Sequence, residues 1–248
     1  MRSRGLACLF AIALVLTASS KTALAIPVLQ LYIDGATYDP VEDSWVIATA
    51  GPFDLWVIGD VGSYGTISDV KLAAAVDTAE LLAGGSVSLA PTTTGVVTDP
   101  STPSSPVATA NFPSADGALP VRGDGTTLPP HGVYGAGTSF FEWELGDLTL
   151  TDSPIGDFIS SFPSSFPSTG QINVYTVTVS GFSQVHFDTY DHIVNGGNHT
   201  KYVFAPFSHD AGATVVPEPS SLLLVGPGML ALGVFGNRRL RATRSQRQ

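Results

Sequence analysis

Cysteine is almost missing: Cys8 is the only one in 248 residues. It lies in an N-terminal apolar run that export would remove, which leaves a processed chain without a thiol. Disulfides, zinc–thiolate sites and cysteine nucleophiles are then excluded. A chain of this length can bury enough apolar surface to do without disulfides. Basic residues are scarce in the body of the chain. From Ile26 to Val216, 191 residues, only Lys71, Arg122 and Lys201 stand against 20 Asp and Glu, a formal net charge of −17. The whole-chain value of −10 conceals this, because eight of the eleven basic residues sit in the terminal segments. Such a surface repels nucleic acid phosphates and anionic lipid heads and attracts cations. Plain solubility explains it as well. No Gly-rich phosphate loop and no His-Glu-x-x-His spacing is present.

What is there begins at the termini. Arg2 and Arg4 precede the apolar run Leu6 to Leu16, and Ala23-Leu24-Ala25 follows. The run is too short to span a hydrocarbon core as a helix. It reads as a signal peptide over 1–25, with Ala23 and Ala25 at the positions that signal peptidase recognises and cleavage before Ile26.

At the other end, Pro217-Glu218-Pro219 precedes fifteen uncharged, mostly apolar residues, Leu222 to Gly236. Arg238, Arg239, Arg241, Arg244 and Arg247 close the chain. A helix from Ser220 would reach about 26 Å, just enough for a bilayer. Gly226, Pro227, Gly228 and Gly233 would weaken or kink it. The arginines would stay cytoplasmic, which places Pro-Glu-Pro at the outer boundary. This three-part tail resembles the PEP-CTERM sorting signal. The resemblance implies recognition by an exosortase, an integral-membrane cysteine transpeptidase-like enzyme of bacteria that make exopolysaccharide and biofilm. The expected sorting and anchor segment is 215–241, with Pro217, Glu218, Pro219, Arg238, Arg239 and Arg241 as its signal and 242–248 as a disordered tail.

Between the termini, period-2 patterns dominate. Leu29, Leu31 and Ile33 alternate with Gln30 and Tyr32. Phe53, Leu55 and Val57 alternate with Asp54, Trp56 and Ile58. Phe141, Trp143 and Leu145 alternate with Glu142 and Glu144. Alternation of this kind turns one face to a core and the other to water. Turn residues separate the runs, among them Asp34-Gly35, Gly84-Gly85 and Asn195-Gly196-Gly197. The expected fold is all-β, a β-sandwich or jelly-roll-like extracellular domain over 26–214, flanked by the signal helix and the C-terminal transmembrane helix. Ser153 and Pro154 suggest one short helix with Phe158 and Ile159 facing inward. Lys71 to Leu82, rich in Ala, fits either a helix or a strand followed by a turn. Pro91 to Pro130 holds eight prolines with much Thr and Ser. It reads as a long insertion of extended coil or surface loop.

Several stretches of the body look familiar together: Leu31 to Tyr38, Phe53 to Val57, His131 to Gly135, Leu145 to Asp147, Val185 to Asp188 and Phe207 to Asp210. They resemble the choice-of-anchor N group, in which a shared extracellular domain is joined to alternative surface-sorting tails. The resemblance spans most of Ile26 to Ala211 and implies no chemistry.

Candidate sites are sparse. His186 and Asp188, two apart on a strand, would share a face and could reach one ion or one sugar hydroxyl. Asp188, Asp191 and Asp210 could instead give oxygens to Ca²⁺. Turn-capping Asp and hydrogen-bonded His explain these positions equally. Ser208-His209-Asp210 holds the residue types of a serine hydrolase, but strand neighbours point to opposite faces. Glu142 and Glu144 would lie roughly 7 Å apart on one strand face, a glycosidase-like spacing that the wet side of a strand accounts for. Trp45, Trp56 and Trp143 could stack on sugars or anchor a core; Trp56 is the best platform candidate. Arg122-Gly123-Asp124 is a chance tripeptide. Sequence therefore points to no catalytic residue, no resident metal and no cofactor. The expectation is a non-enzymatic exported protein, held at the inner membrane before sorting and then placed at the cell surface or in the extracellular matrix. Its partners would be signal peptidase, exosortase and exopolysaccharide, with no nucleic acid. A glycan- or calcium-binding adhesion module is the alternative, and a secreted hydrolase a weaker one.

Overall fold

The alternation in Phe53–Gly59 shows how the sheets are built. Phe53, Leu55 and Val57 are buried, at 6%, 0% and 0% exposure, while Asp54 and Trp56 between them are half-buried on the other face. The same pattern recurs along the chain in a computed structural model that describes residues 26–92, 109–111, 117–130, 132, 135–194 and 197–216. Among these residues, thirteen strands form two sheets. In chain order they are β1 (Leu29–Ile33), β2 (Thr37–Asp39), β3 (Ser44–Thr49), β4 (Phe53–Gly59), β5 (Ile67–Asp77), β6 (Ser86–Pro91) and β7 (Thr109–Asn111). Then come β8 (Thr138–Leu148), β9 (Ser153–Ile155), β10 (Ser168–Ser180), β11 (Gln184–Val194), β12 (Thr200–Phe204) and β13 (Asp210–Val215). Two short helices, α1 (Val61–Tyr64) and α2 (Thr78–Leu82), and a 3₁₀ turn at Phe207–His209 complete the described residues.

The smaller sheet runs β1-β4-β10-β6, with β9 on the far end of β10. The larger runs β2-β3-β13-β11-β5-β8-β7, with β12 continuing along β11. The inner faces enclose one apolar layer, a β-sandwich-like arrangement without a closed barrel. Leu31, Leu55 and Val57 from the smaller sheet belong to the same core as Leu72, Trp143, Val185 and Phe187 from the larger. Phe53 and Phe187 meet across it edge to face at 6.1 Å. Each such side chain, fully buried, stabilises the fold by about 1.5–3 kcal/mol before entropy is counted.

Both outer faces are partly covered. Over the smaller sheet, the segment after β9 is fastened to buried Gln30. The Gln30 amide donates to the Gly156 carbonyl at 3.1 Å and accepts from the Phe158 amide at 2.9 Å. Phe158 thereby packs on Tyr32, with ring centres 5.3 Å apart. Over the larger sheet, residues 117–130 fold back through a bridge between Val121 and Thr127. Leu128, 2% exposed, clusters there with Ala73, Ala75, Phe140 and Tyr190. This part of the expected loop is therefore a packed cover, because Phe140 and Tyr190 put large apolar area on the outward face. Residues 93–108 and 112–116 lie outside the described residues.

Ser153 to Ile155 is not the start of a helix. It is a strand with the period-2 burial of one: Ser153 and Ile155 buried, Pro154 exposed. Pro154 is tolerated because β9 is an edge strand, where a missing N–H breaks no inner ladder. Gly170, opposite Ser153 in the pairing of β9 with β10, has no room for a Cβ, which would overlap the Gly59 carbonyl of β4 and crowd Ile155 of β9. Lys71 to Leu82 resolves as strand to Asp77, then α2. Asp77 caps that helix by accepting from the Glu80 amide at 2.9 Å. The expected signal and transmembrane helices lie outside the described residues, among which no helix is long and apolar enough to cross a membrane.

Phe187→Ala should remove the inter-sheet contact and leave a cavity. The expected loss of stability is about 3–5 kcal/mol, read as a lower urea midpoint at unchanged slope. A shift below about 1 kcal/mol would show that the two sheets do not share this core.

Candidate functional site

The side chains of β11 alternate. Val185 and Phe187 enter the core, so His186 and Asp188 face outward. On β13, Ala211 and Ala213 are core, so Asp210 and Gly212 face outward. The two strands are antiparallel, with His186 opposite Gly212 and Phe187 opposite Ala211. One further step of that register sets Asp188 beside Asp210. On the other side of β13, the parallel strand β3 sets Ser44 level with Asp210. On the other side of β11, Ala73 and Ala75 lie level with Asp188 and His186. Alanine and glycine thus floor a trough in which the polar side chains gather.

They gather closely. Nε2 of His186 lies 3.9 Å from Oδ2 of Asp188 and 3.8 Å from Oδ2 of Asp210. One donor atom from each residue falls within 4.8 Å of the other two. The group is buried: His186 is 7%, Asp188 5% and Asp210 0% exposed. Burial pushes the Asp210 carboxyl well above the ordinary carboxylate range, and the charge of Asp188 pushes it further; His186 pulls the other way. Two carboxylates this close and this dry call for a proton or a cation.

Comparison with known protein families gives no match, and no curated protein matches the chain. Among solved structures, a DUF4466 family protein from Parabacteroides merdae ATCC 43184 is similar at 8% identity and a TM-score of 0.20. The likeness covers 73% of this chain and 44% of that one. At that distance it carries no argument about fold or function, and the chemistry rests on the residues.

The remaining candidates separate. Asp191 does not join Asp188 and Asp210. A bulge between Tyr190 and His192 turns it toward His192, whose Nδ1 lies 2.9 Å away. There it borders a polar cavity of about 270 Å³ with Asp69, Lys71 and Glu144. Glu142 is neutralised by Lys71 at 3.3 Å and accepts from the Tyr190 hydroxyl at 2.6 Å. Trp56 is no open platform, since Tyr32, Phe158 and Phe162 stand edge-on to it at 5.3–6.4 Å. Arg122-Gly123-Asp124 forms a turn closed by Thr126, whose amide donates to Asp124 at 2.9 Å. Glycine is needed there because a Cβ would press on the Tyr202 ring.

Ser208 and His209 depart from the strand geometry expected of them. They sit in the 3₁₀ turn, and the Ser208 hydroxyl reaches Nδ1 of its neighbour at 2.9 Å. His209 Nε2 meets Asp157 at 2.6 Å. This carboxylate–imidazole–hydroxyl chain uses Asp157 rather than Asp210. It ties the turn before β13 to the segment covering the smaller sheet. Ala23, Ala25, Pro217, Glu218, Pro219, Arg238, Arg239 and Arg241 lie outside the described residues.

The raised Asp210 pKa has a definite sign in stability. The folded state holds this proton more tightly than the unfolded chain, where Asp titrates near about 3.9. The linked stability is present below that value and is lost as pH rises toward the folded-state pKa. In chelator-treated protein, Asp210→Asn should be more stable than the parent at pH 7, with the gap closing toward pH 4. Urea titrations at both pH values check it; a variant less stable at pH 7 would contradict the assignment.

Proposed function

We propose that this is a non-enzymatic exported protein of the cell surface or biofilm matrix, sorted and cut at its C-terminal Pro-Glu-Pro by an exosortase. The observation that carries it is the three-part tail: Pro217-Glu218-Pro219, an uncharged apolar stretch and the arginine cluster. The body of the chain supports it. β13 ends at Val215, and the Val216 amide still donates to the Thr49 carbonyl at 2.9 Å. Pro217, which has no N–H, follows at once. The tripeptide thus follows in sequence directly after a residue still hydrogen-bonded to the larger sheet. A domain with three basic and 20 acidic residues also suits a hydrated, cation-rich polymer outside the cell.

A second role, as a cation-binding adhesion module, is favoured by the buried His186–Asp188–Asp210 group. Hydrolysis has less support. The Asp157–His209–Ser208 chain has the residue types, but its bonds brace a turn.

Intact-mass analysis of the protein from its native surface tests the proposal. The expected species begins at Ile26 and ends near Pro-Glu-Pro, without the arginine cluster. Deleting 217–248 should divert the protein from the surface into the medium. Surface protein that keeps Arg238 to Arg247, or a deletion that leaves placement unchanged, would refute sorting by this tail.

A further inference from the structure

We propose that His186, Asp188 and Asp210 bind one divalent first-row transition-metal ion of the zinc type, clamping β13 to β11. This inference is independent of how the chain is sorted. The donors come from two strands and converge without any local sequence motif: Asp188 and Asp210 are 22 positions apart. Their donor atoms lie within 4.8 Å of one another. A shared ion about 2.0–2.2 Å from each would need them somewhat closer than the 3.8–3.9 Å seen between Nε2 and the two Oδ2 atoms, if its angles were tetrahedral. Small side-chain rotations achieve that.

A separate observation points to the same ligand. Ser44 is 1% exposed, and its hydroxyl has no hydrogen-bond partner among the described residues. Trp45 and Ala211, level with each other, both enter the core. Ser44 and Asp210, one residue earlier on each strand, therefore face outward together. A buried hydroxyl without a partner is costly. A cation held by Asp210, or water bound to that cation, would satisfy it.

The donor set selects the ion. One imidazole and two carboxylates, with a hydroxyl nearby, form a mixed nitrogen–oxygen site. Calcium asks for six to eight oxygens, whereas imidazole suits zinc, iron, nickel and copper. A path inward exists as well: His186 borders a cavity of about 260 Å³ lined also by Asp77, Thr138, Ser183 and Gln184. The ion would then neutralise the two carboxylates that otherwise need a shared proton.

The test uses the full chain, purified in detergent without a polyhistidine tag and stripped with chelator. Zinc should bind one to one by calorimetry and raise the melting temperature, as any ligand selective for the folded state does. Calcium at the same concentration should do neither. Asp210→Asn and His186→Gln should each weaken zinc by about 100-fold or more, and Ser44→Ala by about tenfold, the scale of an outer-shell loss. X-ray absorption of the zinc-loaded parent should show one imidazole and otherwise oxygen, a measurement that needs no variant to fold. Absence of zinc binding, two or more imidazoles per ion, preference for calcium, or parental affinity in Asp210→Asn would each overturn the site.

Discussion

β13 is seated between two partner strands, and both the core and the polar trough are organised around it. It pairs with β3 in parallel and with β11 antiparallel, so the last strand among the described residues lies inside the larger sheet. Ladders on both sides remove the exposed edge that an isolated terminal strand would present. The core then counts on it, since Ala211 and Ala213 close the apolar layer beside Val185 and Phe187. The same insertion puts Asp210 between Asp188 on one side and Ser44 on the other. A strand needed for stability thus also brings buried charge together.

The approach to that strand is elaborate. β12 and β13 both run alongside β11, one at each end of it, and a detour from Ala205 to His209 separates them. Pro206 supplies the extended backbone before the 3₁₀ turn. The turn is pinned from outside by His209 to Asp157, and Asp157 belongs to the segment that Gln30 fastens over the smaller sheet. Polar side chains here do what disulfides do in other domains: they tie distant segments, and none of residues 26–216 is a cysteine. Because each tie is buried or half-buried, each is stronger than an exposed pair of the same atoms.

An acidic exterior and a trough with two buried carboxylates belong to one electrostatic picture. The surface repels anions and concentrates cations near the protein. The buried trough offers a place where one such cation loses part of its hydration and gains fixed ligands. Should that happen outside the cell, the last strand would be held by metal on one side of Pro217 and by the sorting machinery on the other.

Much of this was legible in the residues. Alternation in Leu29 to Ile33, Phe53 to Val57 and Phe141 to Leu145 named both the strands and their inner faces, because period 2 leaves no choice of face once a core exists. The same rule placed His186 and Asp188 together. Composition, read without any fold, set the acidic character of the body, and the terminal segments alone carry the expectation of export. Ser153 misled, since a capping residue before proline looks alike at a helix start and on an edge strand. The outward cover of 117–130, the Asp157–His209 bond and the meeting of Asp188, Asp210 and Ser44 needed the tertiary structure. Each joins residues that no local period links, and only the register of paired strands decides which of them come within reach of one ion.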